Sequence, residues 1–185
     1  MKRLLSIQDI SCVGKCSLTV ALPVISAMGV EAAVLPTAVL STHTAFPTPV
    51  FRDLTGDMDA IAEHRMTNGI GFDGICTGYL GSEAQVDAVL AIQEKLGSFL
   101  IVDPVMGDNG KLYSRITDSF VEKMKKLCSR ADVLMPNVTE ACCLAGCDPV
   151  GSCDEAFAKK LLDKLGVSVI ELEGIANPRI DSLRI

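Results

Sequence analysis

The sequence predicts an α/β protein with a mainly parallel central sheet, and three observations indicate this class. Apolar runs of strand length alternate with segments of helical periodicity along the chain. The apolar runs are almost continuous, which is typical of strands buried on both faces. Strands and helices follow one another in turn, which favours parallel strands with helices packed on the sheet. The expected architecture is therefore a three-layer α/β/α fold.

Six strands and six helices are predicted, and they alternate except that the last two helices follow one another. The strands are expected near 3–7, 32–40, 73–77, 98–103, 132–136 and 167–172. The first helix is expected over 15–28, where Gly29 supplies a stop signal, and the others over 57–68, 83–96, 117–129, 137–145 and 153–165. The stretch 41–58 lacks clear periodicity, and its two prolines and one glycine predict an extended flap. This flap is either a lid over a site or a plain surface connection.

Composition and charge exclude several classes of function. The 185 residues suit one domain, and a net charge of −6 without a basic stripe argues against nucleic-acid binding and favours small-molecule partners. The eight cysteines are irregularly spaced, and the start "MKRLLSIQD" lacks a long apolar region, so reduced, cytoplasmic thiols are expected. The cluster "ACCLAGC" predicts helix-packing cysteines in preference to a metal site. No apolar run approaches the roughly 18 residues of a membrane span.

Two familiar nucleotide-binding motifs fail. The segment "DISCVGKCS" contains the Gly-Lys pair of a phosphate loop. However, that motif needs glycine where Asp9 stands and Ser or Thr where Cys16 stands. The pattern G-x-G-x-x-G does not follow the first predicted strand, which weakens a nicotinamide or flavin interpretation. Any nucleotide is therefore expected to bind in another way.

Acidic residues follow two of the predicted strands. Asp103 and Asp108 flank the turn in "IVDPVMGDNGKLY", where a carboxylate can hold Mg²⁺ and glycine lets phosphate approach the backbone. The same "DP" and "GDNG" are also ordinary turn sequences. In "MPNVTEA", Asn137 and Glu140 have the spacing of a helix capping box, which is sufficient structural explanation on its own. If the carboxyl ends of the strands share one edge, these four residues would surround a metal-bound phosphate.

Two further loops offer groups for a flat ligand. "STHT" at 41–44 supplies hydroxyls and the imidazole of His43 after a strand, and "TGYLGS" at 77–82 places Tyr79 between glycines. A tyrosine in such a turn can stack on a heterocycle, although single aromatics more often serve packing.

Taken in order, these segments resemble the pyridoxal and pyridoxamine kinases, vitamin B6 kinases of the ribokinase-like superfamily. The resemblance covers about the first 165 positions and rests on "SIQD", "GKCSLTVALPVISAMG", "PTAVLSTHT", "FRDLTGDM", "FDGICTGYLGS", "VDPVMGDNGKLY" and "MPNVTEA". It implies transfer of the γ-phosphoryl group of ATP to the 5′-hydroxymethyl group of pyridoxal, pyridoxine or pyridoxamine. It also implies Mg²⁺, often a monovalent cation such as K⁺, a cytoplasmic location and a homodimer.

The resemblance assigns residues to two sides of a site. The vitamin side would comprise Asp9, His43, Thr44 and Tyr79. The ATP and phosphate side would comprise Asp103, Asp108, Asn137 and Glu140, of which Asp103, Asp108 and Glu140 would be the metal ligands. Three positions depart from the family's usual residues, namely Asp9 for Ser, Ala45 for Gly and Met135 for Thr.

A larger departure is that the family's G-T-G-D motif, whose Asp activates the acceptor hydroxyl, does not occur in this sequence. The near match "LTGD" at 54–57 follows no predicted strand, so we interpret it as unrelated and assign no catalytic residue. We therefore expect 1–170 to form an incomplete, C-terminally truncated kinase domain with an atypical tail at 171–185, little or no turnover, and exposed apolar surface. Two alternatives stay open at this point: a hydroxymethylpyrimidine kinase-like enzyme, and a non-catalytic vitamer-binding protein.

Overall fold

A computed structural model describes residues 1–44, 46–166 and 169–170, without the side chains of Leu162, Val169 and Ile170. The described chain forms two compact units, Met1–Asp103 and the part from Pro104 onward. The predicted tail at 171–185 lies outside the described residues. Among the described residues, no helix is long and apolar enough to span a membrane.

The first unit contains a sheet of five strands. Their bounds are β1 Arg3–Ser11, β2 Glu31–Leu40, β3 Phe51–Asp53, β4 Gly74–Thr77 and β5 Phe99–Val102. The order across the sheet is β3-β2-β1-β4-β5. The pairs of β1 with β2, β1 with β4 and β4 with β5 are parallel, and β3 runs antiparallel to β2. The α/β class and the mainly parallel sheet are confirmed.

Three helices cover this sheet: α1 Leu18–Ala27, α2 Thr55–Thr67 and α3 Glu83–Leu96. The chain crosses from β1 to β2 in one direction and from β4 to β5 in the other, so right-handed crossovers place α1 and α3 on opposite faces. Helix α2 packs on β2 and on α3, and both helices line a small apolar cavity over Leu5 and Leu35. The first unit therefore has the predicted three layers.

Strand β1 extends further than its apolar run indicates. The prediction ended this strand near residue 7 and put Asp9 in a loop, whereas β1 continues to Ser11. Gln8 pairs with Pro36 and Ile10 with Val39, so two residues of β2 lie opposite Asp9 alone. This bulge is the kind of irregularity that re-aims side chains beside functional sites. Backbone pairing with β2 continues to Ser11, and the Ser11 hydroxyl donates to the Asp9 carboxylate.

The predicted flap also contains regular structure. Strand β3 precedes "LTGD", and α2 begins at Thr55, so the expectation that no strand precedes this segment is wrong. The Leu54 N–H donates to the carbonyl of Thr37 at 3.0 Å, which fixes the segment against β2. Because β3 is antiparallel, α2 begins beside the interior of β2 and not beyond the carboxyl end of a parallel strand.

The described part of the second unit has short strands and three helices. Its elements are β6 Gly107–Asp108, β7 Lys111–Leu112, α4 Asp118–Cys128, β8 Val133–Leu134, α5 Val138–Leu144, α6 Glu155–Leu165 and β9 Val169–Ile170. Strands β8 and β9 pair in parallel, and β6 and β7 form an antiparallel hairpin that was predicted only as a turn. The turn residues Asn109 and Gly110 have φ of 51° and 76°, which is the conformation that Asn-Gly favours in two-residue hairpins.

The apolar core of the second unit confirms the packing role predicted for its cysteines. Val138, Ala141, Cys142 and Leu161 form a buried cluster between α5 and α6, with Cys147 and Cys153 packed against it. The eight cysteines of the chain all lie within the described residues and are free thiols.

Candidate active site

The carboxyl ends of β1, β2 and β4 form a polar edge on the first unit. Asp9 is only 3% exposed, and the Ser11 hydroxyl donates to its carboxylate at 2.8 Å. Thr77, at the end of β4, is also buried, and its hydroxyl has no hydrogen-bond partner among the described residues. Since buried polar groups are normally paired, the unpaired Thr77 hydroxyl makes this edge the candidate ligand site of the first unit.

His43 holds the beginning of the flap against the loop that follows β1. Its N–H donates to the carbonyl of Val13 at 3.2 Å, and its ring meets Phe46 edge to face with centroids 4.8 Å apart. The ring lies so close to Gly14 that a methyl group on this glycine would collide with the imidazole Cδ2. Gly14 also has φ of 121°, which side-chain-bearing residues rarely adopt. Gly14 thus permits the close approach of the His43 ring, and Thr44, next to His43, is exposed.

Tyr79 lies in a tightly held loop after β4. The Gly78 N–H donates to the carbonyl of Ile7, and the Thr37 hydroxyl donates to the carbonyl of Tyr79, both at 3.0 Å. A methyl group on Gly78 would lie 2.7 Å from the side-chain oxygen of Gln8, so this glycine permits close approach to β1. The loop that carries Tyr79 is therefore held against β1 near Asp9, and the Tyr79 residue is half-buried.

Asp103 follows β5 at the same edge of the first unit. Its N–H donates to the carbonyl of Thr77 at 3.3 Å, which continues the pairing of β5 with β4. Burial raises the pKa of the Cys76 thiol to about 11, and the nearby negative charge of Asp103 adds to this effect. The Cys76 thiol is therefore protonated at neutral pH.

We expect Cys76 to resist alkylation in the native protein. With a pKa of about 11, the thiolate fraction at pH 8 is on the order of one in a thousand, and only the thiolate is nucleophilic. Cys12 is exposed and provides the internal comparison. Iodoacetamide labelling at pH 8 followed by peptide mass spectrometry should modify Cys12 first, whereas urea-unfolded protein should label both residues at similar rates. Equal labelling in the native protein would contradict this assignment.

In the second unit, Asn137 and Glu140 form the predicted capping box at the start of α5. The Asn137 side chain accepts from the Glu140 N–H at 3.0 Å, and the Glu140 carboxylate accepts from the Asn137 N–H at 2.9 Å. The other Glu140 oxygen accepts from the N–H groups of Met106 at 3.0 Å and Gly107 at 3.5 Å. The Asn137 amide donates to the carbonyl of Gly107 at 2.8 Å. Both side chains thus hold the β6–β7 hairpin against α5.

Asp108 and Thr139 complete this arrangement. The exposed carboxylate of Asp108 accepts from the backbone and side-chain N–H groups of Asn109 at 2.7 and 2.9 Å. The Thr139 hydroxyl accepts from the Gly110 N–H and donates to the carbonyl of Val150, both at 2.8 Å. In the part of the chain that the structure describes, no three His, Cys, Asp or Glu side chains are arranged to hold a metal ion. The metal ligands assigned from the resemblance stay predictions.

The sequence interpretation missed Thr37 and Thr139. Each is a single threonine, one in an apolar strand and the other between the capping-box residues, and neither carries a recognisable motif. Their contacts join segments that are distant in sequence, so periodicity and spacing give no signal for them.

Comparison with known proteins identifies the family. Residues 20–180 match the phosphomethylpyrimidine kinase family, and the chain therefore belongs to this family. It is 29% identical to pyridoxal kinase of Dictyostelium discoideum over 184 residues, which is 94% of this chain and 60% of that protein.

Solved structures of pyridoxal kinases share the fold of this chain. Pyridoxal kinase from Lactobacillus plantarum superposes with a TM-score of 0.83 at 37% identity, over 90% of this chain and 59% of that one. Pyridoxal kinase from Leishmania donovani in complex with ADP and pyridoxamine superposes with a TM-score of 0.80 at 27% identity, over 92% of this chain and 62% of that one. The chain thus spans about 60% of the length of these relatives.

Proposed function

We propose that this chain binds a vitamin B6 vitamer and serves in the ATP-dependent phosphorylation of its 5′-hydroxymethyl group. The observation that carries this proposal is the similarity to pyridoxal kinases, one of which was solved with ADP and pyridoxamine. The polar edge of the first unit supports it, because Asp9, His43 and Tyr79 lie at the ends of neighbouring parallel strands, where such sheets bind ligands. Thr44 belongs to the same proposed vitamer side.

The reaction would join the vitamer's hydroxyl oxygen to the γ-phosphorus of ATP and break the bond between that phosphorus and the β–γ bridging oxygen. ADP would leave, and the hydroxyl proton would pass to a base that is not assigned among the described residues. Enzymes of this type work mainly by positioning and charge neutralisation. The held loop of Tyr79 and the packed flap of His43 provide positioning for the acceptor.

The phosphate side is proposed to include Asp103, Asp108, Asn137 and Glu140. When Mg²⁺ is held by nucleotide phosphates, it usually keeps several waters and takes one or two protein carboxylates. Asp103 and Asp108 suit that need, and a monovalent cation such as K⁺ would add to charge neutralisation. Glu140 is 3% exposed and accepts three backbone N–H groups, so its contribution is better explained by holding Gly107 and Met106 than by direct coordination.

A second candidate substrate is hydroxymethylpyrimidine, because the name of the matched family, phosphomethylpyrimidine kinase, favours a pyrimidine ring. Both ligands are flat, nitrogen-containing rings with a hydroxymethyl group. Separate titrations with pyridoxamine and hydroxymethylpyrimidine would discriminate between them. Tighter binding of the pyrimidine would replace the vitamer as the proposed substrate.

Substituting Tyr79 with alanine should weaken vitamer binding by up to about tenfold. Loss of an aromatic stacking contact costs roughly 0.5–1.5 kcal/mol beyond the buried area. Isothermal titration calorimetry with pyridoxamine measures the affinity, and a coupled ATP-consumption assay measures whether transfer follows. Phe99→Ala is the matched control, because Phe99 is an exposed aromatic at the amino end of β5, away from the polar edge. Absence of vitamer binding by the unsubstituted chain would refute the proposed function.

We also propose a cytoplasmic homodimer. The exposed side chains of Val20, Val24 and Met28 repeat every four residues on and just after α1, which supports an apolar contact face. Eight free thiols support a reducing compartment. Sedimentation velocity tests the dimer, and a monomer at micromolar concentration would refute it.

A further inference from the structure

Gln85 is fully buried in the first turn of α3, and its side-chain amide forms hydrogen bonds to other segments of the first unit. Its side-chain oxygen accepts from the Gly81 N–H at 2.7 Å. Its side-chain nitrogen donates to the Thr37 carbonyl and the Thr55 hydroxyl, both at 2.9 Å, and lies 3.3 Å from the Asp53 carboxylate. One side chain therefore joins four segments.

The oxygen side of the amide holds the backbone against which the ring of Tyr79 packs. A methyl group on Gly81 would be 3.5 Å from both Cε1 and the hydroxyl oxygen of Tyr79, so the ring rests over the Gly81 backbone. Gln85 fixes that backbone through the Gly81 N–H, and Thr37 fixes the carbonyl of Tyr79 itself. The ring is thus oriented by a backbone that Gln85 and Thr37 hold at two points.

The nitrogen side of the amide reaches the end of the flap. Asp53 ends β3 and Thr55 begins α2, and the Asp53 carboxylate also accepts from the Thr55 N–H at 2.7 Å. Asp53 and Thr55 lie near the end of the flap at 41–58, and His43 lies near its beginning. Gln85 therefore links the loop of Tyr79 to Asp53 and Thr55 near the end of the flap.

Stability of α3 does not explain this glutamine. The Ser82 hydroxyl already caps the helix by accepting from the Gln85 N–H at 3.3 Å, and Gly97 with φ of 58° ends the helix. A buried helix position would normally carry an apolar residue, as Val86, Val89 and Ile92 do in the same helix. An amide is required because this position must accept from one segment and donate to others.

We propose that Gln85 is a positioning residue of the vitamer pocket, which sets the orientation of the Tyr79 ring and couples that ring to the anchored end of the flap. The proposal rests on the proposed function for its consequence in vitamer binding. Its structural part, the orientation of Tyr79, can be tested without any ligand.

The first test uses tyrosine fluorescence. The chain has two tyrosines and no tryptophan, so a Tyr113→Phe background leaves Tyr79 as the sole emitter. In that background, Gln85→Leu should increase acrylamide quenching of Tyr79 about twofold or more, because the ring loses its support. Gln93→Leu, a change of the same type in the same helix, is the matched control and should leave quenching unchanged. Equal quenching in the unsubstituted and Gln85→Leu proteins would overturn the positioning role.

The second test uses pH to separate positioning from packing. In Gln85→Glu, the introduced carboxyl keeps an acceptor for Gly81, but when ionised it faces the Thr37 carbonyl and the Asp53 carboxylate. This environment raises the pKa of the introduced group, so the neutral form with its donor hydrogen returns as the pH falls. Pyridoxamine affinity of Gln85→Glu, divided by that of the unsubstituted protein, should rise severalfold between pH 8 and pH 5.5. For Gln85→Leu and for Gln93→Glu, the same affinity ratio should not change between pH 8 and pH 5.5.

The outcomes separate the two proposals. If the unsubstituted chain binds no vitamer, the proposed function fails, while the quenching of Tyr79 still decides the positioning role. If the chain binds pyridoxamine and the Gln85→Glu ratio is independent of pH, the coupling of Gln85 to the vitamer pocket is refuted. Should Gln85→Leu fail to fold, Gln85→Glu at pH 5.5 and pH 8 gives the same quenching comparison within one protein.

Discussion

Glu140→Ala is expected to lower the free energy of unfolding by roughly 3 kcal/mol. The substitution removes the acceptor for the N–H groups of Asn137, Met106 and Gly107 in a site that is 3% exposed. Each buried group left without a partner costs roughly 1–3 kcal/mol, and hydrogen bonds to charged groups are the stronger ones. Urea unfolding monitored by circular dichroism measures the change in the transition midpoint.

Two variants control for this result. Glu140→Gln keeps an acceptor oxygen and should lose less than the alanine variant. Glu155→Ala removes an exposed glutamate from the first turn of α6 and should cost at most about 1 kcal/mol, the usual range for a charge near a helix start. If Glu140→Ala is no more destabilising than Glu155→Ala, Glu140 does not hold the hairpin.

Gly107→Ala is expected to disrupt the β6–β7 hairpin. The added methyl group would collide with the carbonyl oxygen of Lys111 and would lie 2.9 Å from the Leu112 Cα. These are backbone atoms of the paired strand, so a side-chain rotation cannot relieve the overlap. Overpacking of this kind typically costs about 1–3 kcal/mol. Under the proposed function, nucleotide affinity should fall as well, because the hairpin carries Asp108.

Gly56→Ala is a control that should raise the stability of the protein, whereas Gly107→Ala should lower it. Gly56 lies in the first turn of α2, and a methyl group there meets open space. Alanine in place of glycine within a helix is stabilising by roughly 0.5–1 kcal/mol. The melting temperature should therefore rise in Gly56→Ala and fall in Gly107→Ala. An unchanged melting temperature in Gly107→Ala would show that the two hairpin strands do not approach each other closely at this position.

Most of the regular structure followed from patterns in the sequence. Continuous apolar runs and helical periodicity located β2, β4, β5 and α3 to within one or two residues. The pattern failed at β3, which has three residues, and at the β6–β7 hairpin, whose strands have two each. Such short strands have no measurable period, although Asn109-Gly110 was a usable hairpin signal.

The candidate site was predictable where local geometry governs it. The spacing of Asn137 and Glu140 predicted a capping box, and the structure confirms it. The same spacing gave no indication that both side chains also hold Gly107, thirty or more residues away. Asp9 was expected in the loop after the first strand, but it lies within β1, and its burial and its position opposite a bulge depend on the pairing of β1 with β2.

The sequence by itself determined the class of the fold, the order of its main elements and the family resemblance, because apolar periodicity, caps and ordered motifs are properties of neighbouring residues. Only the tertiary structure decided which polar groups are already satisfied within the protein. Glu140 proved to be engaged with backbone N–H groups, and Gln85, which carries no motif, proved to join four segments. The physical reason is that burial and hydrogen-bond pairing arise between residues far apart in the chain, after the strands have chosen their partners.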